Sequence, residues 1–92
     1  MTPRQILIEA RQLLIDKGWV PYSTLNGTEG PFCMLNALGM VCDDYAERDN
    51  AIHALALVIG LENDIIFPWN DSQTSIEPVL AAFDKAIASL EP

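Results

Sequence analysis

Cys33 and Cys42 are the two thiols of the chain, and His53 is its single imidazole. A nucleophilic pair would set a thiolate such as that of Cys33 beside this imidazole, which would serve as its base. Asp49 precedes His53 by four residues, a helical spacing that lets the two side chains meet. However, Ala51, Ile52, Ala54 and Leu57 surround the histidine, and a lone His in such company reads as an ordinary helix residue. Metal binding fares no better, because one His and two widely spaced Cys supply neither a CxxC nor an HxxxH pair. Asp43, Asp44, Glu47 and Asp49 lack the alternating spacing and central Gly of a calcium loop, and carboxylates at a helix start already complement the helix dipole. Asn70 and Asp71 read as turn and capping residues. There is no Gly-rich phosphate loop, nucleophile elbow or basic aromatic patch. The sequence therefore assigns no catalytic residue, no metal and no cofactor, and a non-enzymatic protein is expected.

A chain of 92 residues forms a single domain, 1–92, and buries only about 60–65% of its unfolded surface. The core is thin. Thirteen acids against five Lys and Arg give a net charge of −8, which argues against direct contact with nucleic-acid phosphates. The charge is uneven. Residues 1–17 carry Arg4, Arg11 and Lys17 against Glu9 and Asp16, whereas only Arg48 and Lys85 oppose eleven acids in the remainder. Were Cys33 and Cys42 on one continuous helix, their nine-residue separation would place them roughly 13 Å apart, beyond the ~7 Å limit for a disulfide. Reduced, buried thiols in a cytoplasmic protein are expected. Glu9, Arg11 and Gln12 break the apolar N-terminal stretch, so no secretion signal is read, and no apolar run reaches membrane-spanning length.

Four helices are predicted, joined by two irregular loops at about 18–31 and 61–73, in an all-α fold. Thr2-Pro3-Arg4-Gln5 has the pattern of a capping box, with Gly18 as the stop. Pro3, Ile6, Leu7, Ala10, Leu13 and Leu14 form the apolar stripe of this first helix. Ile8 and Ile15 fall well outside it, between Arg4, Arg11 and Gln12. Either the first loop covers them or they face something else. That loop, with its Asn26-Gly27 turn signal, reads as an Ω-loop or a hairpin-like excursion between Trp19-Val20-Pro21-Tyr22 and Thr28-Glu29-Gly30.

Pro31 is expected to open a second helix to about Val41, and Asp44 to cap a third from Tyr45 to Ile59, closed by Gly60. Both are apolar nearly all round, which predicts a central pair with the first and last helices outside it. Phe67-Pro68-Trp69-Asn70-Asp71 reads as a rigid aromatic corner in the second loop, with Trp69, Asn70 and Asp71 as its structural motif. Ser75 caps a last amphipathic helix in which Ile76, Val79, Leu80, Phe83, Ala86, Ile87 and Leu90 recur at i, i+3, i+4, i+7.

Gly18-Trp19, Cys33-Met34-Leu35-Asn36-Ala37-Leu38, Gly60-Leu61 and Trp69-Asn70-Asp71 followed by Thr74 and Val79-Leu80 together resemble one family. It is a group of small uncharacterised proteins of actinobacteria and the bacteriophages that infect them. The early loop diverges from the family pattern, and the last helix has few basic residues. The resemblance implies an intracellular helical domain in which binding a host protein is a commoner role than catalysis.

The leading expectation is thus a protein-interaction domain that binds and modulates a host protein. Ile8, Ile15, Trp19 and Tyr22 are its candidate contacts, and self-association into a homodimer is the competing use of the same surface. An acidic decoy occupying a nucleic-acid-binding groove comes second. A small-ligand or enzyme role comes third, and requires a cavity between Trp19 and Trp69.

Overall fold

Thr2 opens the first helix as the sequence predicts, its Oγ1 accepting a hydrogen bond from the Gln5 amide at 3.1 Å. The reciprocal half of the capping box is not made, because the Gln5 side chain donates instead to Glu9, one turn on, at 2.7 Å. The computed structural model describes residues 1–21, 30–60 and 66–90, with the backbone alone at 66–68. Among these there are five helices: α1 (Pro3–Lys17), α2 (Met34–Val41), α3 (Tyr45–Ile59), α4 (Ile66–Ser72) and α5 (Ile76–Ser89). The all-α expectation holds.

Helix α2 begins three residues later than Pro31. The backbone of Phe32 is held elsewhere, its N–H donating to Gly18 O at 3.0 Å and its carbonyl accepting from the Val20 amide at 3.1 Å. This isolated parallel bridge between Trp19 and Phe32 joins the ends of the first loop, and Cys33 becomes the N-cap, its Sγ accepting from the Asn36 amide. Gly30 makes the close approach possible. At φ +81° it adopts backbone that side chains disfavour, and a Cβ there would lie 2.9 Å from that of Lys17. Residues 22–29, on which the choice between hairpin and Ω-loop falls, lie outside the described residues.

The second correction concerns 61–73, where the predicted corner is helix α4. Pro68 is compatible with this because it is the third helical residue, inside the first turn, where a missing N–H leaves no bond unmade. Helix α3 has its predicted bounds, with Asp44 Oδ1 accepting from the Glu47 amide and Gly60 closing it in the left-handed conformation. Ser75 stands at the N-cap of α5 but makes no side-chain capping bond.

The centre is shared by α3, which meets the other four helices, and by α1 rather than α2. Helix α1 packs against α2, α3 and α5, and its Ile6, Leu7, Ala10 and Leu14 are wholly enclosed. Small side chains allow this, since Ala51 and Ala54 of α3 and Ala82 and Ala86 of α5 join Ala10 in one core with Phe32, Leu38, Leu55 and Phe83. An apolar composition all round α3 did not predict its burial: Leu57 is 66% exposed and Tyr45 76%. Among the described residues no helix is long and apolar enough to cross a membrane.

Candidate functional site

Arg4, Ile8, Arg11 and Ile15 recur every three or four residues along one flank of α1, beside its buried stripe. Arg11 ties this flank to α5, its Nε lying 2.7 Å from Asp84 Oδ1 and its Nη2 3.3 Å from Oδ2. This is an ion pair with a largely exposed carboxylate in which Nη2 makes the one hydrogen bond and the buried Nε makes none. Ile8, on one side of it, is half-buried, and Ile15, on the other, is 46% exposed. The flank therefore presents apolar surface around an ion pair already neutralised within the chain.

Trp19, grouped with those isoleucines on sequence grounds, is held differently. Its ring packs against the core and its indole N–H donates to Asn70 Oδ1 at 2.8 Å. Asn70 is 1% exposed and joins three segments. Its Oδ1 also accepts from the Met34 amide at 3.2 Å, and its Nδ2 donates to Pro21 O at 2.7 Å and to Asp71 Oδ1 at 3.3 Å. The side chain is thus a tertiary clamp between the first loop, the start of α2 and α4, where sequence reasoning assigned it a local turn. Tyr22, the fourth predicted contact, lies outside the described residues.

Cys33 and Cys42 are free and buried, and they bracket α2 as its N-cap and C-cap. His53 is exposed on α3, whereas Cys33 is wholly enclosed, with its sulfur engaged by the helix start. Among the described residues no group of three or more His, Cys, Asp or Glu is placed to hold a metal.

Trp69 borders a cleft of 210 Å³ between the end of α3, α4 and α5. Trp19 does not line it, so this is not the cavity between the two tryptophans that a ligand-binding role was expected to need. Lys85, also in its lining, carried no sequence signal beyond its place on the polar face of an amphipathic helix.

A family model described as "Family of unknown function (DUF6197)" matches residues 1–89, and the chain belongs to that family. No curated protein and no solved structure matches it.

Proposed function

We propose that this member of the DUF6197 family is a non-enzymatic interaction domain that acts inside the cell by binding and modulating a host protein, with Ile8 and Ile15 of α1 as contacts. The carrying observation is the exposure of Ile15, 46%, on the flank that the Arg11–Asp84 pair ties to α5. Covering the part of Ile15 that is still exposed contributes roughly half of the about 1.5–3 kcal/mol of a fully exposed side chain, and the Arg11 charge beside it is already matched by Asp84. Docking over Ile15 leaves the Arg11–Asp84 pair matched. The enclosure of Cys33 supports the non-enzymatic part of this reading, and the resemblance to phage-encoded proteins supports a host protein as the target.

The test is Ile8→Glu combined with Ile15→Glu, followed by light scattering over a concentration series and by affinity capture from host lysate. Loss of a captured protein in the variant, with the fold retained, is the expected result. A wild-type dimer split by the variant would assign the flank to self-association. Capture unchanged by the variant but steeply weakened by salt would favour the acidic decoy. Unchanged mass and unchanged, salt-insensitive capture would remove the flank from consideration.

A further inference from the structure

Asp84 and Lys85 are adjacent in sequence but serve opposite flanks of α5, because successive helix positions turn by about 100°. Asp84 reaches Arg11 on α1, whereas Lys85 lines the cleft beside Trp69. Pro78, Ala81, Ala82 and Lys85 recur at i, i+3, i+4 and i+7 and form one wall. Val58 and Ile59, from the last turn of α3, form another, with Trp69 of α4 between them. Apart from the lysine head and the tryptophan N–H, these are apolar or small side chains.

Lys85 has no carboxylate within helical reach, since residues 81, 82, 88 and 89 are Ala, Ala, Ala and Ser. Among the described residues it makes no salt bridge, although the chain carries thirteen acids. Arg4 and Lys17, both on α1, likewise make none, whereas Arg11 pairs with Asp84 and Arg48 meets Cys42 O and the ring of Tyr45. A cation with no carboxylate partner among the described residues, beside a hollow with an aromatic wall, is complementary to one class of molecule: an anion carried on an apolar body.

We propose that this cleft binds a small free carboxylic acid with an aromatic or short aliphatic body, which lies against Trp69 and the alanine wall while its carboxylate pairs with Lys85. The volume of 210 Å³ is below the roughly 300 Å³ at which drug-sized sites begin, so the ligand is fragment-sized. Net charge does not forbid an anion here. A contact pair acts well inside the screening length of about 8 Å at physiological salt, while repulsion from distant acids is damped. The site is independent of the α1 flank, being on the other side of α5 from the Arg11–Asp84 pair.

The experiment is a two-dimensional amide NMR titration of the wild-type protein with phenylacetate and, separately, with its neutral analogue phenylacetamide. Saturable shifts of the Trp69 indole and of the Ala81, Ala82 and Lys85 amides are expected, with dissociation constants of about 1 mM for so few ligand atoms. The acid should bind about threefold tighter than the amide, the scale of one exposed ion pair. Lys85→Gln should reduce the acid to the affinity of the amide and leave the amide unchanged, and Ala81→Leu should fill the cleft and remove both. Equal affinities in the wild type would overturn the selection for an anion. Absence of saturation, shifts centred elsewhere, or unchanged binding to Ala81→Leu would overturn the site itself.

Discussion

Trp19 and Asn70 are fifty-one residues apart in sequence and joined by a 2.8 Å hydrogen bond from the indole to the amide oxygen. Because Asn70 also receives the Met34 N–H and donates to Pro21 O, one side chain satisfies polar groups from the first loop and the start of α2. Asn70→Ala leaves these without a partner, the Met34 amide at a buried position and the Trp19 indole and Pro21 carbonyl at half-buried ones. A loss of about 3 kcal/mol is expected, since each stranded buried group costs roughly 1–3 kcal/mol. Urea denaturation checks this; a loss below about 1 kcal/mol would mean that the three segments hold together without the clamp.

Neighbouring positions on α1 should respond in opposite ways. Leu14 is fully enclosed, and Leu14→Ala should destabilise by about 3–5 kcal/mol through lost transfer energy and the cavity left behind. Ile15→Ala should change stability by less than about 1 kcal/mol. Equal losses at the two positions would show that Ile15 is covered in the monomer in solution and would take it out of the proposed surface.

Two glycines make a similar pair. Gly30→Ala should destabilise by more than about 1 kcal/mol, since it forces an L side chain into positive φ and against Lys17. Gly39 lies inside α2, and the nearest atom to an added Cβ is Arg48 Nη1 at 3.8 Å, an ordinary contact. Gly39→Ala should therefore stabilise by about 0.5–1 kcal/mol through helix propensity. Thermal melts of the two variants should move in opposite directions.

The amino terminus supplies a pH dependence. Both carboxylate oxygens of Glu47 accept from the Met1 ammonium, at 2.9 and 2.8 Å, and this hydrogen bonding raises the amine above its ordinary value of 8.0. The folded state then holds the proton more tightly than the unfolded state. The resulting stability is complete below pH 8 and is lost as pH rises through the raised value. Glu47→Gln should flatten that part of the stability profile; a profile identical to the wild type would show that the ion pair is open in solution.

Local signals located α1 and α3, because Thr2, Asp44 and Gly60 act on their own neighbourhoods through chemistry the sequence displays. The departures arose where distant backbone intervened. Phe32 is drawn into a bridge with Gly18 and Val20, which delays α2, and no helix-start rule contains that competition. Asn70 looked like a turn residue because its type is common in turns, whereas three of its four partners lie 36 to 51 residues away. The central place of α1 was hidden for a related reason: burial depends on which helices converge on a stripe, and α1 needs only a narrow one. Among the candidate contacts, the place of Ile8 and Ile15 outside the buried stripe was legible from angle alone. Lys85 and its cleft were not, because an unmatched cation is recognised only when its surroundings in space are known.

A helix near the beginning of the chain that packs against α5 near its end sets the order in which the molecule can assemble. As the polypeptide leaves the ribosome, α1 emerges first with its enclosing partners still unsynthesised, and α2 and α3 can cover only part of its stripe. Val79, Phe83 and Ala86 complete the core only when the last helix is free of the exit tunnel. Cooperative folding is therefore expected to wait for α5 and to be limited by closure of this longest loop, with nascent chains lacking α5 the natural substrates of chaperones and proteases.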